Sequence, residues 1–101
     1  MTGFLLTLDR LKALKQQALM SIPHAKAAHR TEIVARFLGW RTYASLLYDL
    51  RSEGRFIADF DTGGAIDFSR QIGVDLEEED LDELAERLQD EFGSEADYSR
   101  Y

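Results

Sequence analysis

The 101-residue sequence predicts a mainly α domain: a small bundle of four or five helices, with one short β-hairpin around residues 56–68. Three observations carry that expectation. Large apolar residues recur at steps of three and four over residues 8–22, 31–50 and 81–92, which is the helical period. Thr7, Thr42 and Asp75 stand where helix caps are expected, and Gly39, Gly54 and Gly93 where helices end. Only residues 56–68 alternate as a strand pair does, around the turn signal Asp61-Thr62-Gly63-Gly64.

Taken in order, residues 1–6 form an apolar lead-in. Thr7 is placed to cap a helix from Leu8, with Asp9 near its positive end. Leu8, Leu11, Leu14, Ala18 and Ile22 make its stripe, and Pro23 ends it. A second helix runs from about His24 to Leu38. Ala27, Thr31, Val34, Ala35 and Leu38 share one face, and Ile33 and Phe37 widen it. Gly39 suits the left-handed residue after a helix, and Trp40 anchors the corner. Thr42 caps a third helix bearing Tyr43, Leu46, Leu47 and Leu50, which Gly54 closes. Phe56, Ala58 and Phe60, then Ile66 and Phe68, give the hairpin; a loop running into a helix over 65–72 is the rival reading. Asp75 and Glu78 read as a capping box for a last helix. Its stripe is Leu81, Leu84, Ala85, Leu88 and Phe92, and Gly93 ends it. Residues 1–93 are thus one domain and 94–101 a mobile tail. The expected core comprises Leu8, Leu11, Val34, Leu38, Trp40, Tyr43, Leu46, Leu47, Leu84 and Leu88.

Composition narrows the functional classes. The chain has no cysteine, which excludes disulfides and thiolate chemistry and suits a reducing cytoplasm. Asp9, Arg10 and Lys12 interrupt the first apolar run, so it does not read as a signal peptide. No apolar segment approaches the roughly 20 residues that span a bilayer. A soluble, cytoplasmic protein without a membrane partner is expected. The net charge of -7 conceals a split. Residues 1–51 hold eight Lys/Arg against three acids, a balance of +5; residues 52–101 hold four Arg against sixteen acids, a balance of -12. Such asymmetry points to a charged partner.

The run LKALKQQAL, followed by AAHRTEIVARFLGWRTYASLL, resembles the small helical domain at the N-terminus of glyoxalase-related bacterial proteins. Glu32, Ile33, Val34, Ala35, Gly39, Trp40 and Leu46 match that family's pattern. Tyr43 stands where the family usually has tryptophan, and the Ser-His pair that often opens its second helix is not cleanly present. The resemblance covers about residues 8–50 and rests on core and turn positions. It implies a helical fold and a bacterial or mobile-element origin. It implies no activity, and the family's metal-binding part has no counterpart in this chain.

No constellation points to catalysis. His24 and His29 are spaced wrongly for a metal pair on one helix face and lack a third ligand nearby. Ser21, Ser45, Ser52 and Ser69 lie in no nucleophile-elbow context, and no phosphate-cradling glycine loop is present. A non-enzymatic protein without metal or cofactor is expected. Residues 59–70 come near a calcium loop, but Gly63 and Arg70 occupy positions that need oxygen ligands, so a plain turn is expected.

Two surfaces remain. The last helix crowds carboxylates, and Glu78, Glu79, Asp82, Glu83, Glu86 and Asp90 are the expected contacts to a protein partner with a basic, nucleic-acid-binding surface. An acidic array of this kind mimics nucleic acid, as in small antitoxin-like or anti-CRISPR-like inhibitors. The alternative is a helix-turn-helix-like DNA-binding module using Arg36, Arg41, Thr42 and Ser45. A third reading is a structural module that self-associates through Phe37 or Trp40.

Overall fold

The computed structural model describes residues 2–92 and 97–99. Strand β1 (Thr2–Thr7) leads directly into α1 (Leu8–Ser21), followed by α2 (Ala27–Phe37) and α3 (Tyr43–Glu53). Strand β2 (Arg55–Ala58), α4 (Thr62–Gln71), α5 (Glu78–Phe92) and β3 (Asp97–Ser99) complete the order. The five helices and mainly α character agree with the sequence pattern. Among the described residues no helix is long and apolar enough to cross a membrane.

The apolar lead-in is a strand. β1 is central in an antiparallel sheet of order β2-β1-β3, with Phe4 opposite Ala58 and Leu6 opposite Phe56. Phe4, Leu6 and Ala58 are buried beneath the helices, while Leu5 and its partner Ile57 share the outer face. The hairpin expected around 56–68 therefore does not form. Its first half is β2, paired with β1, and its second half is α4. Asp61 accepts a hydrogen bond from the Gly64 N–H (3.0 Å), so the apparent turn signal is a helix cap. Ala65, Ile66 and Ser69 are then buried at helical spacing. Within the segment 94–101, Asp97–Ser99 pair with the start of β1. Gly93 lies outside the described residues, as does the side chain of Phe92.

The helix ends follow local chemistry. Thr7 accepts from the Arg10 N–H (3.2 Å) and Thr42 from the Ser45 N–H (3.1 Å), capping α1 and α3 as their sequence positions suggest. At the end of α2, Trp40 N donates to Ala35 O (2.9 Å) and Gly39 N to Arg36 O (3.0 Å). This paired closure requires the left-handed conformation of Gly39, whose φ is 99°. Helix α2 starts at Ala27, later than the expected His24, because Pro23 and His24 lie in the link from α1. The His24 Nε2–H reaches the Asp75 carbonyl at 2.6 Å, tying that link to the one before α5. The capping box at Asp75 and Glu78 is displaced: the Asp80 carboxylate accepts from the Glu77 N–H (3.0 Å) instead. Val74 and Leu76 are buried there, which holds the preceding chain extended and delays the helix.

Helix α1 packs against α5 and α2, and α2 against α3 and α4, around one core. Leu11, Val34, Leu38, Leu46, Leu84 and Leu88 are buried as expected, and Trp40, Tyr43 and Leu47 pack partly buried against them. Leu8 is not core. It is 38% exposed, because Phe4 and Leu6 of β1 occupy the core beside the start of α1. Ala27 and Thr31 also fall off the buried face of α2, which runs through Ile33, Val34, Ala35, Phe37 and Leu38. An aromatic series links the layers. Phe60 stacks on Phe37 at 4.5 Å and meets Phe4 at 5.6 Å, and Trp40 meets Phe56 edge-on at 5.3 Å.

Two stability predictions follow from this packing. Phe60→Ala lowers unfolding free energy by about 2–3 kcal/mol in urea denaturation, since it empties the joint between β1 and α2. Gly39→Ala costs about 1 kcal/mol through backbone strain alone, the added methyl meeting no other atom. An unchanged urea midpoint in either variant contradicts its assignment.

Candidate interaction surfaces

Helix α5 buries Leu81, Leu84 and Leu88 and turns its carboxylates outward. Glu78, Glu79, Asp82, Glu83, Glu86 and Asp90 are all exposed. They occupy roughly 18 Å of helix at 1.5 Å per residue. Glu78, Asp82, Glu86 and Asp90 form one row at steps of four. Like charges at that spacing destabilise a helix by about 0.2–0.5 kcal/mol per pair. Along this surface the neutralising contact is Glu83 Oε1 with Arg87 at 2.8 Å.

No salt bridge joins the two charged halves of the chain among the described residues. Among the described residues the ion pairs are Asp67–Arg70 and Glu83–Arg87, each inside one helix. Lys15, Arg30 and Arg36 of the first half are held by neutral groups. Arg30 Nη1 donates to the Ile22 and Ala25 carbonyls. The Arg36 guanidinium sits 4.6 Å over the Phe68 ring, and its Nε donates to the Arg41 carbonyl (2.9 Å).

The residues of the alternative DNA surface lie together at the α2–α3 corner, but most are committed to building it. Besides Arg36, the Thr42 hydroxyl caps α3, and Ser45 Oγ donates to the Thr42 carbonyl at 3.0 Å. Glu32 accepts from the Tyr43 N–H (2.9 Å), and Asp49 accepts from Trp40 Nε1 (2.8 Å). These acids fix the corner and put negative charge beside it. Arg41 is exposed. Self-association through Phe37 is excluded by its burial, since only 1% of its surface is exposed. Trp40 is half-buried. The structural duties of Glu32 and Asp49 depend on the crossing of α2 and α3, so local sequence carried no signal for them.

A concave surface lies elsewhere, between α1 and α2, with Lys12, Lys15 and Arg30 in its lining. No protein-family model, curated protein or solved structure matches the chain significantly.

The acidic row has a direct physical consequence. Screening by salt shortens the range of charge repulsion from about 10 Å at 0.1 M to about 3 Å at 1 M. The melting temperature therefore rises with sodium chloride, and less so in Asp82→Asn/Glu86→Gln, whose row is partly neutral. Equal salt dependence in both proteins would show that the row stores no repulsion.

Proposed function

We propose that the protein is a non-enzymatic inhibitor or regulator that binds a nucleic-acid-handling protein through the exposed carboxylates of α5. One observation carries this reading: six outward carboxylates on one helix, neutralised locally only by Arg87 among the described residues. Six charges over roughly 18 Å give about one per 3 Å of axis, near the 3.4 Å per charge of a single DNA strand. A basic channel built for phosphates meets a comparable linear charge density here. Steering by such a surface speeds association and makes it sensitive to salt. The repulsion within the row is relieved when a cationic partner covers it.

The size and charge of the chain fit the class of small antitoxin-like and anti-CRISPR-like inhibitors. A bacterial or mobile-element origin is part of the same proposal, through the resemblance of residues 8–50 to the glyoxalase-associated helical domain. Its matching residues Val34, Ala35, Gly39 and Trp40 serve the core and the α2–α3 corner.

The test compares the tagged protein with Asp82→Lys/Glu86→Lys/Asp90→Lys in capture from nuclease-treated bacterial lysate. These positions avoid the Glu83–Arg87 pair and the first turn, so the circular-dichroism melt should stay within a few degrees. The native chain is expected to retain a basic protein that is released by salt or by added DNA, and the variant to lose it. Equal capture by both would refute the proposal. In a parallel capture from untreated lysate, nuclease-sensitive recovery of DNA, lost in Arg41→Glu, would instead support the corner formed by α2 and α3.

A further inference from the structure

The groove between α1 and α2 combines cationic and apolar lining. Helix α1 contributes Lys12, Lys15 and Leu19, and α2 contributes Ala27, Arg30 and Val34, around an open volume of about 420 Å³. Val34 is buried at its base, whereas Leu19 is 52% exposed, so apolar surface meets solvent beside three cations. In a chain of net charge -7, none of the three is ion-paired among the described residues. Two of them are nevertheless held in place. Lys15 Nζ donates to the Tyr43 hydroxyl at 3.1 Å and lies 4.9 Å from the centre of that ring. Arg30 donates to two backbone carbonyls, at 2.8 and 3.3 Å. Neutral partners orient these cations without cancelling their charge.

We propose that this groove binds a small anionic amphiphile, a carboxylate or phosphate head on an apolar body about two helical turns long. The volume falls within the range of about 300–1,000 Å³ typical of small-ligand sites. The head is drawn to the cations of the lining, Lys12, Lys15 and Arg30, and the body covers the exposed apolar lining at Leu19 and Ala27. A nucleic-acid backbone would engage the cations but leave that apolar surface wet. The site shares no residue with the acidic row of α5, so it stands or falls independently of the inhibitor reading.

The experiment titrates octanoate into the isotope-labelled full chain and follows backbone amide shifts, with octanol and inorganic phosphate in parallel. Saturable shifts centred on Lys12, Gln16, Leu19 and Thr31 are expected, with octanol and phosphate each at least about tenfold weaker. Lys12→Gln should weaken octanoate binding about threefold, as expected for one exposed ion pair. Lys12→Gln/Leu19→Gln should lose saturable binding; both positions are exposed, and an unchanged circular-dichroism spectrum verifies the fold. Vesicles of phosphatidylcholine with phosphatidylglycerol separate the two sources of such an anion. Sedimentation with them that the double variant loses assigns a lipid, and octanoate binding without sedimentation assigns a soluble acid. Absent or misplaced shifts, octanol binding as tight as octanoate, or an unaffected double variant would overturn the proposal.

Discussion

The architecture depends on the joint between the last residue of α2 and the segment leading into α4. The Phe37 ring stacks on Phe60, and the Phe37 carbonyl accepts from the Asp61 N–H at 2.7 Å. The same Phe60 ring meets Phe4 of β1, while the Asp61 carboxylate caps α4. Two adjacent residues thus connect the N-terminal strand, a central helix and the following helix. A helix end leaves backbone carbonyls without partners, and a buried end needs them satisfied. Asp61 supplies that partner, and Phe60 buries the junction beside it.

Charge is distributed by a related logic. Cations of the first half sit on carbonyls and aromatic rings, which position them at little desolvation cost near the surface. Among the acids of the second half, Asp61 and Asp80 bond backbone N–H groups at helix starts, and six others stand exposed along α5. The halves fold into one core without a salt bridge between them among the described residues. An acidic helix face on α5 and a groove lined by cations between α1 and α2 result.

Much of the helical frame was legible because helix chemistry is local. A threonine or aspartate three residues before a bonded N–H, a glycine one residue past the end, and an apolar step of three or four all lie within one turn. Thr7, Thr42, Gly39 and Gly54 behaved accordingly. Strand identity is not local in this way. Phe4, Leu5 and Leu6 show no alternation, and β1 acquires its partners some 50 and 90 residues later in the chain. Alternation over Phe56–Phe60 correctly marked extended chain, but Ile66 and Phe68 continued the same pattern inside a helix. There, the Asp61 cap and the burial of Ala65 and Ser69 prevailed.

The carboxylates of α5 were readable as exposed because Leu81, Leu84 and Leu88 define the opposite, buried stripe. The basic groove was not readable, since Lys12 and Arg30 line one groove only when α1 and α2 pack side by side. By itself, then, the sequence determined the apolar stripes of α1, α2, α3 and α5, the caps Thr7 and Thr42, an acidic outer face and the uneven division of charge. Tertiary structure alone decided that the first residues form a central strand and that Leu8 stays outside the core. It also decided which cations line one groove. The physical reason is range: capping and periodicity act within a turn of helix, whereas strand pairing and grooves are made by segments that the chain itself keeps far apart.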